Sequence, residues 1–212
     1  MLANRDLLPP APVLWYNVSM TAAPKRETMS AEAFLEWAEA QDEGRYQLIG
    51  GQIVAMAPER AEHGHVKFQV AKALEAAVSE ARLPCRAFVD SLAVKVDDAT
   101  IFEPDALVNC GARIPRGSLI APNPVIVVEV ISPTSTRRDL AVKFTNYFRH
   151  PGVQHYLVVV MENRTVIQHS RSEGDTLKTR IAGMSDRLTF DPPGIAVSVS
   201  DLFKDLDSAF SD

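Results

Sequence analysis

The stretch from Asn123 to Ser135, NPVIVVEVISPTS, decides how this chain folds. From Val125 to Ile131 every residue is aliphatic and β-branched except Glu129. A run of this length, entered through Pro124 and closed by Ser132-Pro133, reads as a central strand buried on both faces. A carboxylate inside such a strand is costly to bury unless charge or hydrogen bonds offset the cost. A lysine or arginine partner, a helix N-terminus or a bound metal ion would each do so. A carboxylate that reaches water or a salt bridge at the strand end would need none of them. The segment by itself leaves these open.

Downstream, residues 137–149 carry Leu140, Phe144, Tyr147 and Phe148 at helical spacing, with Thr134, Ser135 or Thr136 available as the cap. Pro151-Gly152 ends that helix, and 155–160 forms another buried strand. One helix between two buried strands is a crossover, which implies parallel pairing within a mixed sheet. Strands over 165–170 and 176–181 follow, the second at an edge, then closing strands at 188–190 and 195–199 and a helical turn at 200–206.

Upstream, a short helix over 31–40 precedes two strand-like runs around Gly50-Gly51, which read as a β-hairpin. A long helix over 62–81 shows one apolar face through Val66, Val70, Ala73, Leu74, Ala77 and Val78. Strands at 86–89, 91–96 and 106–110 come next, then a loop from 111 to 123. The expected fold is α/β: a mixed β-sheet flanked by helices, with an N-terminal hairpin and a small β tail. Residues 1–29, with prolines at 9, 10, 12 and 24 and a sticky Leu14-Trp15-Tyr16, are expected to form a flexible arm; 30–206 form one domain and 207–212 a tail.

At 212 residues the chain is long enough for such a domain, and 46% apolar with 23% charged residues is ordinary for a globular protein. A net charge of -5 gives no global attraction to nucleic acid, so any binding needs a local basic patch. Cys85 and Cys110 share no ligand spacing and read as free thiols of a reducing cytoplasm. No apolar segment approaches a membrane span, and no basic region followed by an apolar block opens the chain.

Asp105 follows Pro104 at the mouth of one strand, and Glu129 lies within the next. If the two strands are neighbours, the acids converge on one edge of the sheet. Paired carboxylates on rigid strands suit a divalent cation, completed by waters and a backbone carbonyl such as that of Val130. The alternative is that each acid has its own lysine or arginine. Lys143, four residues after Asp139, either folds back over the strand end or pairs within its helix. If the acids share an ion, replacing either by its amide should leave the fold intact or firmer, because a like-charge pair is relieved.

Pro104-Asp105, VVEVISPTS, Arg137-Arg138-Asp139-Leu140 with Lys143 and Tyr147, Gly152-Val153 and HYLVVV, in that order, resemble a bacterial family of endonucleases, the Uma type. That family belongs to the PD-(D/E)XK superfamily, and the resemblance covers 29–203. It implies a restriction-endonuclease-like fold, hydrolysis of DNA, and Mg²⁺ as cofactor with Mn²⁺ as substitute; no membrane partner and a homodimer are carried as further expectations. Asp105 and Glu129 match the superfamily's metal-binding acids. The lysine that normally stands two residues after the Glu is Ile131 here, and Lys143 matches a migrated replacement. Gln47 and Gln52 stand where the family tends to have glutamates. His63 matches a histidine at the start of the long helix, as a site contributor or a helix-entry residue. Arg138, with Arg137, would hold phosphates or simply be solvated. The rival reading is a degenerate nuclease fold kept for binding nucleic acid or a protein partner.

Overall fold

The computed structural model describes residues 28–131 and 137–210. The Trp15 patch, the caps proposed at 134–136 and the last two residues lie outside them.

Ser30 caps α1 (Ala31–Glu39) by accepting a hydrogen bond from the Ala33 N–H, and Phe34 buries the helix. β1 (Tyr46–Ile49) and β2 (Gln52–Ala55) form the expected hairpin. Gly50 and Gly51 have φ of 57° and 77°, which a two-residue turn of this hand requires at both positions. A Cβ at Gly51 would also lie 2.6 Å from that of Thr28.

α2 (Ala61–Glu80) follows, then β3 (Cys85–Val89), β4 (Val94–Asp97), β5 (Thr100–Phe102), β6 (Ala106–Cys110) and β7 (Pro124–Ile131). α3 (Arg137–Tyr147) leads to β8 (His155–Val160), β9 (Thr165–Arg171) and β10 (Leu177–Ala182). β11 (Arg187–Phe190), β12 (Ile195–Ser198), α4 (Val199–Leu202) and α5 (Leu206–Ala209) close the chain. Six strands form the main sheet, in the order β10-β9-β8-β7-β6-β3. Within it β7 and β8 are parallel, as the crossover requires, and the other pairs are antiparallel.

β7 alternates across the sheet. Ile126, Val128 and Val130 pack on the face covered by α2, β11, β12 and α4. Val127 and Ile131 pack on the opposite face, with Tyr147 and Leu140 of α3. Glu129 shares this second parity, and so points toward α3.

Three sequence expectations are corrected. The segment between the strands expected at 91–96 and 106–110 contains a further strand, β5, three residues long, which with β4, β1 and β2 makes a second, four-stranded sheet in the order β2-β1-β5-β4. The strand expected from 91 begins only at Val94. The cysteines are not free thiols: Cys85 and Cys110 are register partners across β3 and β6 and form a disulfide. That pairing depends on the register of two strands 25 residues apart, which spacing alone does not reveal. Among the described residues no helix is long and apolar enough to cross a membrane.

Candidate active site

β6 and β7 are neighbours, with Ala106 opposite Val128, which is the condition under which Asp105 and Glu129 converge at one end of the sheet. Asp105 Oδ2 accepts a hydrogen bond from the Val130 N–H at 2.6 Å. This ties the carboxylate of one strand to the backbone of the next. Both acids are 5% exposed. They line a cleft of about 790 Å³ together with Gln47, His63, Val130 and Lys143.

Glu129 lies among apolar neighbours, and burial pushes its pKa up to about 7, against the opposing pull of the Lys143 charge. Lys143 Nζ donates to Glu129 Oε2 at 2.8 Å, and Tyr147 Oη–H donates to Oε1 at 2.7 Å. Lys143 and Tyr147 stand four residues apart on α3, so one helical face supplies both. The Tyr147 phenol is buried, and burial followed by the charge of Glu129 holds its pKa well above the ordinary value.

Asp105 is held differently. Lys67, on α2, has no exposed side-chain surface. Its Nζ lies 3.0 Å from Asp105 Oδ1 and 2.5 Å from Glu59 Oε1, and also bonds Asp90 Oδ1. Burial alone would lower the Lys67 pKa; the charge of Asp105 and the bonds to Asp90 and Glu59 outweigh it, and the pKa is raised. Arg45 extends the network, its Nη2 lying 2.8 Å from Asp90 and 2.7 Å from Glu103.

His63 Nε2–H donates to the Val130 carbonyl at 2.6 Å. Its Nδ1 is buried with no hydrogen-bond partner, 3.5 Å from Glu59 Oε2. Glu59, His63 and Asp105 offer ligand atoms within 4.8 Å of one another. The carboxylate oxygens and the imidazole nitrogen of this group fit a small divalent cation such as Mg²⁺ or Mn²⁺; Glu129, across the same cleft, is not part of it.

The structure therefore brings Gln47, His63, Asp105, Glu129, Val130 and Lys143 into one cleft. Gln52, opposite Ile49 at the hairpin turn, is not among the residues lining it. Arg137 and Arg138 stand in the first turn of α3, and their side chains lie outside the described residues. The two alternatives for the acids are not exclusive: each has its own lysine, and both face the same cleft. Lys67, Glu59, Asp90 and Arg45 were not anticipated. A signal for two of them was present, because Glu59, His63 and Lys67 recur at intervals of four on the approach to and along α2.

The family model Uma2, described as "Putative restriction endonuclease", matches residues 31–200. The chain is 26% identical over 180 residues to "Uncharacterized protein slr1290" of Synechocystis sp. strain PCC 6803, across 84% of this chain and 93% of that one. Its fold is similar to the crystal structure of "a putative nuclease belonging to DUF820" from Anabaena variabilis, with a TM-score of 0.68 at 19% identity. That match covers 84% of this chain and 99% of the other.

Proposed function

The chain belongs to the Uma2 family, and from that premise we propose that it is a Mg²⁺-dependent endonuclease hydrolysing DNA phosphodiester bonds, with Mn²⁺ as a working substitute. Action on DNA in the cytoplasm, as a homodimer, is part of this reading. The observation that carries it is the convergence of Asp105 and Glu129, from adjacent strands, on a cleft that also holds a lysine bonded to one of them.

Asp105, Glu129 and the Val130 carbonyl would hold the ion. When bound, a divalent ion supplies Lewis-acid charge at the scissile phosphate. Lys143 can orient the attacking water and stabilise charge developing on the phosphate oxygens. Tyr147 fixes the Glu129 carboxylate, so that its direction is set before substrate arrives. His63 holds the Val130 carbonyl in place. Gln47 contributes an amide oxygen without charge.

One observation favours the binding-module reading. Gln47 stands buried in the cleft where the family tends to carry a glutamate, which lowers the negative charge available to an ion. Plasmid nicking separates the readings. The wild type should nick supercoiled DNA in Mn²⁺, and Asp105→Asn should be slower by at least about 10²-fold. A wild type that binds Mn²⁺ and duplex DNA but never nicks would overturn the enzyme and leave the binding module.

A further inference from the structure

We propose that Lys67 is a permanent internal cation of this site: its ammonium fills the position a second divalent ion would take, and so limits the cleft to one ion. The limit to one ion rests on the Mg²⁺-dependent reading above. The filling of a cation position by Lys67 does not.

The ammonium has three N–H donors, and three carboxylates surround it, each from a different part of the chain. Glu59 comes from the segment before α2, Asp90 from the turn after β3, and Asp105 from the mouth of β6. Their oxygens lie 2.5 Å and 3.0 Å away for Glu59 and Asp105, and Asp90 is bonded as well. The Lys67 side chain is wholly enclosed. A cage of hard oxygens around one buried positive charge is also what a small divalent cation selects.

Asp105 links the two positions. Its Oδ1 faces Lys67, while Oδ2 accepts from the Val130 N–H and lies 3.9 Å from His63 Nε2, on the side of the proposed ion. In two-ion sites the cations stand only about 3.5–4 Å apart and stabilise both the attacking and the leaving oxygen. An ammonium on the second position supplies one charge instead of two, cannot be chelated, and keeps Asp105 oriented in the absence of metal. Arg45 braces the outer acids by its contacts to Asp90 and Glu59. Lys67 is thus a positioning residue rather than a catalytic one.

The test counts ions. Mn²⁺ is titrated calorimetrically into the full chain, wild type and Lys67→Met, and both are melted in EDTA and in excess Mn²⁺. The expected result is one equivalent for the wild type and two for Lys67→Met. The variant should melt lower in EDTA and recover in Mn²⁺ by more than the wild type gains. Adding Glu59→Gln to Lys67→Met should return the count to one. An unchanged count in Lys67→Met, two equivalents already in the wild type, or a variant unfolded in EDTA and Mn²⁺ alike would overturn the proposal. If the wild type binds none and Lys67→Met binds one, the Lys67 assignment stands and the metal-dependent reading falls. If both bind one with equal affinity, the reverse holds.

Discussion

Asp105 and Glu129 are the same kind of group on neighbouring strands, equally buried, yet the molecule holds them by different means. Among the described residues, one cation and one phenol bond Glu129, both from α3, set in an apolar face. Around Asp105 there is a lysine shared with Glu59 and Asp90, a braced arginine and a backbone N–H. Burial dominates at Glu129 and raises its pKa to about 7. The Asp105 side distributes charge over a network whose members have other partners. A buried ion pair with a single partner fails when that partner goes; a network loses one member and keeps the rest.

The largest effect should come from breaking the single-partner side. Lys143→Met removes the only cation hydrogen-bonded to Glu129 among the described contacts and should cost about 3–5 kcal/mol at pH 8 in chelator. The cost should shrink toward pH 5. A carboxyl with a raised folded pKa holds a proton that the unfolded chain has lost between its ordinary value of 4.5 and about 7. Stability from this group therefore falls as pH rises through that window. Urea melts at the two pH values read the difference, and an equal loss at both would mean that Glu129 is not the residue affected.

Gln47→Glu sharpens the contrast by adding a carboxylate to the cleft shared by both acids. In EDTA it should lower stability by about 2 kcal/mol, as an added buried charge. In excess Mg²⁺ it should instead raise the melting temperature and the Mg²⁺ affinity, since hard cations bind more tightly as ligand charge rises. Equal shifts in both conditions would place Gln47 away from any ion.

Asp105→Asn should be the mildest for the fold, costing about 1 kcal/mol, because Lys67 keeps Glu59 and Asp90. The matching change Glu129→Gln weakens two buried hydrogen bonds at once, those from Lys143 and Tyr147, and should cost more than Asp105→Asn. This revises the expectation, drawn from charge repulsion alone, that either amide would leave the fold intact or firmer. Thermal melts of the two amides in chelator give the order directly.

The part of the site carried by β7 was legible because a run of β-branched residues interrupted by one acid has few other readings. The crossover to β8 followed from one helix lying between two such runs. Asp105 was legible from its place after Pro104 at a strand mouth. Lys143 was ambiguous: intervals of four pair it with Asp139, and only the register of α3 against β7 turns it toward Glu129. Lys67 escaped because it stands beside Val66 on a helix read for its apolar stripe; a lysine there looks solvated until the acids of three separate segments are brought around it. β5 escaped for want of length, and the disulfide because register is a property of strand pairing.

The account rests on Asp105 and Glu129 sharing one divalent ion. Crystals grown with Mn²⁺, measured at the manganese absorption edge, test this most directly. The account predicts one anomalous peak between the two carboxylates, within ligand distance of the Val130 carbonyl, with Lys67 still caged by Glu59, Asp90 and Asp105. A peak displaced to Glu59 and His63 and out of reach of Glu129, or no peak at saturating Mn²⁺, would contradict it.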